Sequence, residues 1–251
     1  MLQPFISQTF NGTVWRLQID GQKGIMAVEL RNEQDKQTNF VSLNLTTGQV
    51  YFDSLVMPER WLTGIEAVYN GIMLLHYYKH ESGPEHKTII AIDAKTAAEV
   101  WSNYNLAFDH LSVNGPIVYN TNIQPKKLLL IDVLSGQTLR PYDAIQDKPF
   151  ETEIVIPYMM PASQLVPGSL PAEPYGNMVH YLNHNSYRIV SLHTLKNGEL
   201  QQLLYILKGT EVVYYDLLNQ HIQKLQPEAF VLHKNSLIYI KNKAEIKVLE
   251  I

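Results

Sequence analysis

The side chains best suited to acid–base chemistry are a glutamate, an aspartate and a histidine in two similar stretches of the chain. Glu66 and His110 take the same position when the Asn-Gly pairs at 70–71 and 114–115 are aligned, and Asp109 precedes His110. A carboxylate beside an imidazole can exchange a proton with a substrate. Such residues can equally bond water and one another, and no nucleophile accompanies them.

Histidines offer possible metal ligands in two further places. His180 and His184 would lie about 13 Å apart on one face of a strand, which is too far to share an ion. His76, His80 and His86 surround a polar stretch that we interpret as a solvated loop, without the cysteines or ordered spacing of a zinc site. We therefore expect no metal and no other cofactor.

Composition excludes several classes of function. The 251 residues carry a formal charge of −4 and no cysteine, so we expect no nucleic-acid partner and no disulfide. No apolar run approaches the ~18 residues that a membrane-spanning helix needs. The first residues lack the charged and apolar regions of a signal peptide, although a chain trimmed of a leader would look the same. We expect a cytoplasmic protein.

A recurring bend indicates which elements position the candidate residues. An apolar strand runs into Asp or Asn, and after three residues a bend position precedes a second strand. An Asp or Asn side chain can accept a backbone N–H two residues on, and a residue with positive φ then completes the turn. The four copies begin at Asn44, Asp93, Asp132 and Asp216, with bend positions at Gly48, Ala97, Gly136 and Gln220.

The copies recur at a spacing of about 40 residues, or twice that, which is typical of β-propeller blades with four strands each. We predict an all-β chain, residues 1–251, in one β-propeller domain of five blades, or six if the irregular region holds another. The predicted strands are 23–32, 39–45 and 49–54; then 64–70, 71–79, 87–93 and 98–105; then 108–114, 115–123, 126–132 and 137–142. Short helices at 144–147 and 217–223 are weaker possibilities.

The two ends of the chain complement each other. The last residues, from 236 onwards, supply one hairpin without a further strand, and Pro4–Phe10 is otherwise unassigned. Pairing of these segments would close the ring and remove an exposed sheet edge.

An irregular excursion at about 142–186 interrupts the repeat and contains six of the 13 prolines. Because proline cannot donate to a sheet ladder, the segment cannot be regular sheet throughout. Its apolar residues, including Tyr158, Met159, Met160 and Val166, indicate that much of it packs. It could cover a sheet edge or a mouth of the ring, it could contact a partner or cover a ligand, or it could be disordered.

The stretch IIAIDAKTAAEVW at residues 89–101 resembles the strand–bend–strand hairpin of the quinoprotein-type (PQQ-like) β-propeller repeat, as found in bacterial families of this architecture. Ala91–Thr96, Val100 and Trp101 match that pattern, whereas Ala97 replaces the usual glycine. The resemblance implies the fold. The adjacent cysteines and Ca²⁺ ligands of the quinone-dependent enzymes are missing, so no cofactor residue is carried over.

Two functions remain open from the sequence. The first is a non-catalytic β-propeller that binds a protein or peptide at one mouth of the ring, with Tyr158, Met159 and Met160 as candidate contacts. The alternative is a small-molecule sensor or enzyme with a site in the central channel, around Glu66, Asp109 and His110. Tyr158 and Lys234 are further candidates for strands that line the channel.

Overall fold

The computed structural model of the chain describes residues 2–165, 170–227 and 229–251. These residues form 22 β-strands in five sheets and a short 3-10 helix at Ala162–Gln164, with no α-helix in this described part. The predicted all-β class is confirmed. Within the same residues, no helix is long and apolar enough to cross a membrane.

Strand β1 (Ile6–Thr9) associates with the C-terminal part of the chain, and residues 11–152 form one compact unit. This unit contains three sheets, each of four strands in chain order. They are β2 (Thr13–Asp20), β3 (Ile25–Asn32), β4 (Gln37–Asn44) and β5 (Val50–Leu55); β6 (Thr63–Tyr69), β7 (Ile72–Tyr78), β8 (His86–Asp93) and β9 (Glu99–Asn103); and β10 (Leu106–Ser112), β11 (Gly115–Asn120), β12 (Leu128–Ile131) and β13 (Thr138–Pro141). Eleven of the twelve strands match predicted segments to within a few residues, and β2 has no predicted counterpart.

The second compact unit combines β1 with residues 153–251. The strands of residues 153–251 are β14 (Ile154–Val155), β15 (Tyr158–Pro161), β16 (Met178–His184), β17 (Tyr187–Lys196), β18 (Glu199–Lys208), β19 (Glu211–Ile222), β20 (Val231–His233), β21 (Ser236–Lys241) and β22 (Glu245–Glu250). The two sheets have the orders β15-β16-β17-β18-β19 and β1-β22-β21-β20-β14. Each has five strands instead of the predicted four, because β14 and β15 each add an edge strand.

The two ends of the described chain pair as the sequence predicts. Strand β1 lies antiparallel to β22, in a register from Ile6 opposite Val248 to Thr9 opposite Glu245. The Ser7 hydroxyl also donates a hydrogen bond to Glu245 at 2.7 Å. The edge that β22 would otherwise expose is therefore paired.

The excursion covers two sheet edges, which is one of the roles that the sequence allows. Strand β14 pairs with β20, and β15 pairs with β16, so the segment passes from one sheet to the other. Val166 lies outside the described residues. The two possible helices are wrong: residues 144–146 form a turn, and 217–222 belong to β19. Sheet pairing outweighs weak local preference at 217–222.

The first three predicted bends form as expected. The Asp93 carboxylate accepts hydrogen bonds from the backbone N–H groups of Lys95 and Thr96 at 2.9 and 2.8 Å. The bend position Ala97 has a φ of 62°, and Gly136 has a φ of 70°. The fourth copy is wrong, because Asp216 lies inside the continuous strand β19 and serves a different purpose.

The inner strands β3 and β7 of the first unit are covered on both faces, which explains why their sequences are largely apolar rather than alternating. Successive residues of β7 belong to two hydrophobic clusters. Met73 and Leu75 pack with Phe40 of the first sheet, whereas Leu74 packs with Val118 of the third sheet. Each buried side chain of this size contributes about 2 kcal/mol of transfer free energy.

Trp101 in the middle of β9 links the second sheet to the third. Its indole N–H donates to the carbonyl of Val133 at 2.8 Å. The ring lies over the bend at Gly136, where a Cβ atom would be 2.6 Å from Trp101 Cδ2. Glycine is needed there for two reasons: the positive φ and the close approach of the indole.

We expect Gly136→Ala to lower the free energy of unfolding by about 3 kcal/mol, since alanine must accept a left-handed φ and displace the indole. Gly71→Ala is the matched control, because Gly71 has a φ of 81° and no atom within 4 Å of an added Cβ. It should lose only about 1 kcal/mol. Urea denaturation measures both, and equal losses would contradict the role of Trp101.

A second prediction tests the pairing of the chain ends. Thr9 and Glu245 face each other beside the hydrogen bond from Phe10 N–H to the Ala244 carbonyl. In Thr9→Cys, Glu245→Cys a single disulfide should therefore form, since the chain has no other cysteine. Closing a loop of more than 200 residues should raise the free energy of unfolding by about 4 kcal/mol over the reduced form. Failure to oxidise under mild conditions would contradict the pairing.

Candidate functional site

The structure corrects the alignment of the candidate residues by one position. Tyr69 pairs with Ile72, so Asn70 and Gly71 are the two turn residues, but Ser112 pairs with Gly115, so the second turn consists of Val113 and Asn114. The two Asn-Gly pairs are therefore not equivalent. Counted from the strand ends, Glu66 corresponds to Asp109 rather than to His110. Both residues are the extra residue of a β-bulge.

Polar side chains of the first sheet hold the backbone around Glu66. Strand β6 is the edge of its sheet, so half of its N–H and C=O groups need partners outside the ladder. Glu29 Oε2 accepts the N–H of Ile65 at 3.0 Å, and Arg16 donates to the Ile65 carbonyl at 2.6 Å. Arg31 donates to the Thr63 carbonyl at 2.8 Å. These contacts fix the residue before the bulge.

Glu66 meets two histidines of the neighbouring strands, and we call these three residues the histidine–glutamate cluster. His86 Nδ1 lies 2.6 Å from Glu66 Oε1, and His76 Nδ1 lies 3.1 Å from the same oxygen. The two imidazole rings stack with centroids 3.6 Å apart and planes 8° apart. Tyr78 contacts both rings edge-on, at 4.7 and 5.0 Å.

His76 is unusual within the cluster because its side chain is fully buried and, among the described residues, its Nε2 has no hydrogen-bond partner. A buried polar group without a partner costs about 1–3 kcal/mol. The close approach of Gly64 makes room for the ring, since a Cβ there would be 2.9 Å from His76 Cε1. His86 is a quarter exposed and links the cluster to solvent.

The charges of the cluster follow from burial and proximity. Burial alone would raise the pKa of Glu66, but the adjacent His76 and His86 outweigh it and lower the pKa to about 2. Burial also lowers the pKa of His76, against the attraction of Glu66. At neutral pH Glu66 is therefore an ionised acceptor and His76 is neutral. The His86 Nδ1–H must donate to the carboxylate, which can only accept.

The arrangement supplies two imidazoles and one carboxylate whose potential ligand atoms lie within 4.8 Å of one another. Sequence reasoning missed it: His76 and His86 are strand residues, not part of a solvated loop. The signal was available, because the predicted strand 71–79 already contained His76. The second signal, a bulge of β8 at Thr88 and Ile89 opposite His76, depends on the tertiary structure.

Asp109 and His110 form a separate and more exposed group. His110 Nδ1 lies 2.7 Å from Asp109 Oδ2, and Lys126 contacts the other carboxylate oxygen. Burial raises the pKa of Asp109, but hydrogen bonds from Lys126 and His110 outweigh it and lower the pKa. Each bulge carboxylate thus pairs with histidine of its own sheet, and the structure does not bring Glu66 and His110 together as hydrogen-bond partners.

The remaining sequence candidates lie in the second unit. Tyr158 and Met159 of β15 are exposed, whereas Met160 points into a cluster with Val179 and Leu192. Lys234 is not on a strand, because it occupies the β20–β21 turn with a φ of 55° and lies 3.1 Å from Glu153.

His180 and His184 lie on strand β16, as predicted, rather than on a helix. His184 Nε2 lies 3.0 Å from Asn235 Oδ1.

Asp216, expected to start a turn, instead collects hydrogen bonds in the interior of the second unit. Tyr239, Lys241 and Lys247 donate to its carboxylate at 2.7, 2.7 and 2.9 Å. Burial raises the pKa of Asp216, and these donors outweigh it and lower the pKa. The paired charges tie β19 to β21 and β22, so we interpret the network as structural.

Comparisons with known proteins add a partial family match. A family described as "Domain of unknown function (DUF4905)" matches residues 19–101, which include the histidine–glutamate cluster. No curated protein matches the chain.

Several solved structures resemble the chain weakly. BamB from Moraxella catarrhalis is 10% identical with a TM-score of 0.36, over 94% of this chain and 84% of that one. The β-propeller domain of the Trilobed protease from Pyrococcus furiosus is 10% identical with a TM-score of 0.36, over 96% and 94%. A europium-containing methanol dehydrogenase is 10% identical with a TM-score of 0.34, over 96% of this chain and 52% of that one. At these values we draw no functional conclusion.

The charge state of the cluster predicts a pH dependence of stability. The folded pKa of Glu66, about 2, is below its ordinary value of 4.5. The ionised carboxylate therefore stabilises the fold above pH 4.5, by about 3 kcal/mol, and this contribution is lost as the pH falls towards 2. Glu66→Gln should be destabilised at pH 6, and about half of the difference from the unsubstituted chain should be gone by pH 3.

Urea denaturation at several pH values measures this difference, with the exposed Glu81→Gln as the control. A deficit of Glu66→Gln that stays constant from pH 6 to pH 3 would contradict the lowered pKa.

Proposed function

We propose that the chain is a single β-propeller domain of five blades, closed by the pairing of β1 with β22, that binds a protein or peptide without catalysing a reaction. The five sheets, the repeated Asp and Asn bends and the β1–β22 ladder support this architecture. The repeat at residues 89–101 and its resemblance to the quinoprotein-type propeller agree with it. We further propose that the protein acts in the cytoplasm of a bacterium.

The observation that carries the binding function is a run of exposed apolar side chains in the second unit, which we call the apolar strip. Its members are Val155, Ile156, Tyr158 and Met159, with exposed fractions between 47% and 72%. Isolated exposed apolar residues are ordinary, but four within five consecutive positions indicate a contact surface. Burial of one such side chain on a partner supplies about 2 kcal/mol before the cost of ordering.

The backbone of the strip favours recognition through side chains. Strands β14 and β15 are edge strands of their sheets, and an exposed edge could accept an added strand. Pro157 and Pro161 bracket β15, however, and proline has no N–H to donate. A partner would therefore gain little from extending the sheet, and it should present apolar side chains to Tyr158 and Met159.

Packing beneath the strip holds it in place. Met160 is buried with Val179, Val190 and Tyr205, and the Tyr158 ring lies 5.4 Å from the Tyr181 ring. The strip is thus anchored to a hydrophobic core, while its own side chains remain exposed. A pre-ordered apolar surface loses less conformational entropy on binding than a flexible one.

The histidine–glutamate cluster favours a second candidate function, the binding of a small ligand or an ion in the first unit. The specific observation is His76, a buried imidazole whose Nε2 has no hydrogen-bond partner among the described residues. Its ligand preference is considered separately below, and it is independent of the apolar strip.

The binding proposal predicts that Tyr158→Ser, Met159→Ser weakens recognition. Peptides selected by display on the purified chain should be apolar and should bind with measurable affinity in fluorescence anisotropy. The double variant should raise Kd at least about tenfold, because two exposed anchors lose their apolar contact area.

The matched control is Tyr104→Ser, Leu139→Ser, which removes one aromatic and one aliphatic side chain of similar exposure from the other unit. It should leave Kd within about twofold, as expected for residues outside a contact. Equal weakening by both variants, or a selection that yields no peptide binding at the strip, would count against the proposal.

A further inference from the structure

The histidine–glutamate cluster brings together ligand atoms from three different strands. Glu66 stands on the bulge of β6, His76 lies on β7 opposite the bulge of β8 at Thr88 and Ile89, and His86 is the first residue of β8. Among the residues that the structure describes, it is the one group of three histidine or acidic residues with ligand atoms in mutual reach. The cluster thus lies beside two bulges, one on β6 and one on β8, and bulges are over-represented next to active sites.

The buried imidazole of His76 needs a chemical explanation. Its neighbours on the strand are apolar residues, and its own burial is complete. An apolar side chain would fill this space without leaving Nε2 unsatisfied among the described residues. The 3.1 Å approach of Nδ1 to Glu66 Oε1 directs the ring towards the carboxylate.

We propose that Glu66, His76 and His86 bind one divalent transition-metal ion, with Zn²⁺ as the representative ion. Two imidazole nitrogens and a carboxylate oxygen suit Zn²⁺ and its neighbours in the first transition row, whereas Mg²⁺ and Ca²⁺ prefer oxygen alone. Three protein ligands leave a coordination position for water or a ligand, as in open zinc sites.

The distances allow such a centre after a limited rearrangement. Nitrogen and oxygen ligands at ~2.0–2.1 Å from a tetrahedral ion are ~3.3 Å from each other. The two nitrogen–oxygen distances here are 2.6 and 3.1 Å. An imidazole binds a metal in the plane of its ring, so two parallel stacked rings cannot both do so, and the His86 ring must turn away.

His86 is the residue able to make this movement. Its side chain is a quarter exposed, whereas His76 is enclosed by Gly64 and Tyr78. The exposed side of His86 is also the route by which an ion would enter. Binding should therefore break the stack between His76 and His86.

Neighbouring groups would support the bound ion. Glu29 Oε2 and His76 Nε2 each lie 3.1 Å from the position that a Cβ atom of Gly64 would take. A carboxylate in this vicinity adds negative charge that favours a bound cation. Arg31 partly neutralises Glu29 at 2.7 Å.

The test is calorimetric titration of the EDTA-treated, dialysed chain with ZnCl₂, with MgCl₂ as the comparison ion. We expect one Zn²⁺ per chain with a Kd tighter than about 10 µM, and no binding of Mg²⁺. Glu66→Gln and His86→Asn should each weaken Zn²⁺ binding about a hundredfold, because each removes one of three ligands.

The control variants are His80→Ala, which removes an exposed histidine of the β7–β8 loop, and His110→Ala, which removes the histidine of the second bulge. Both should bind Zn²⁺ as the unsubstituted chain does. Circular dichroism of each variant verifies its fold. If Glu66→Gln does not fold, His86→Asn decides the question, since that residue is partly exposed and less needed for packing.

A second readout is independent of substitution. In the ¹⁵N NMR spectrum of the unsubstituted chain, Zn²⁺ should shift the ring nitrogens of His76 and His86 and relieve their mutual ring-current shifts. Absence of Zn²⁺ binding, binding that survives both ligand variants, or shifts confined to other histidines would overturn the proposal.

Discussion

The hydrogen-bonding edge of strand β6 that no strand of its own sheet pairs with is the constraint on which the first unit depends. A sheet edge inside a protein must find partners for its N–H and C=O groups, because water cannot supply them there. Charged side chains of the first sheet fill this role. Glu29 accepts from Ile65, while Arg16 and Arg31 donate to backbone carbonyls of the same strand or just before it. Asp20 likewise accepts the N–H of Gly71.

These polar contacts have a different role from the apolar clusters. The clusters supply most of the free energy, but apolar packing alone tolerates small sliding of one sheet over another. A buried carboxylate that accepts a hydrogen bond from one particular N–H prevents such sliding, since an unpaired buried charge costs several kcal/mol. Glu29, Asp20 and, on the other side, the indole of Trp101 therefore set how the three sheets meet. The bulge at Glu66 follows directly after a residue fixed in this way.

Local sequence patterns predicted much of the fold because the relevant physics is local. The bend at Asp93 depends on a side chain bonding its own backbone, and the positive φ at Ala97 and Gly136 follows from the same turn. The pairing of β1 with β22 could be inferred because Pro4–Phe10 had no partner in the predicted sheets and the last hairpin lacked a further strand. Each could therefore complete the other. Asp216 shows the limit, since its surroundings come from β21 and β22.

The candidate site was harder to predict than the fold for a physical reason. A bulge shifts every later side chain of its strand by one position, and nothing in the sequence around Glu66 or Asp109 marks it. The turn at Val113 and Asn114 shifted the alignment by the same amount. His76 looked like a loop residue because a polar sequence follows it, whereas its burial depends on Gly64 of another strand.

The ladder between β1 and β22 also determines when the sheet that contains them can close during synthesis. The hydrogen bond from Ser7 to Glu245 joins residues 238 positions apart. On the ribosome, residues 11–152 can fold before β22, the partner of β1, has been synthesised. Strand β1 must therefore stay unpaired until β22 has been synthesised, and its sheet can close only then. A contact between residues so far apart in the sequence slows folding. The unpaired β1 is the segment that a chaperone would protect.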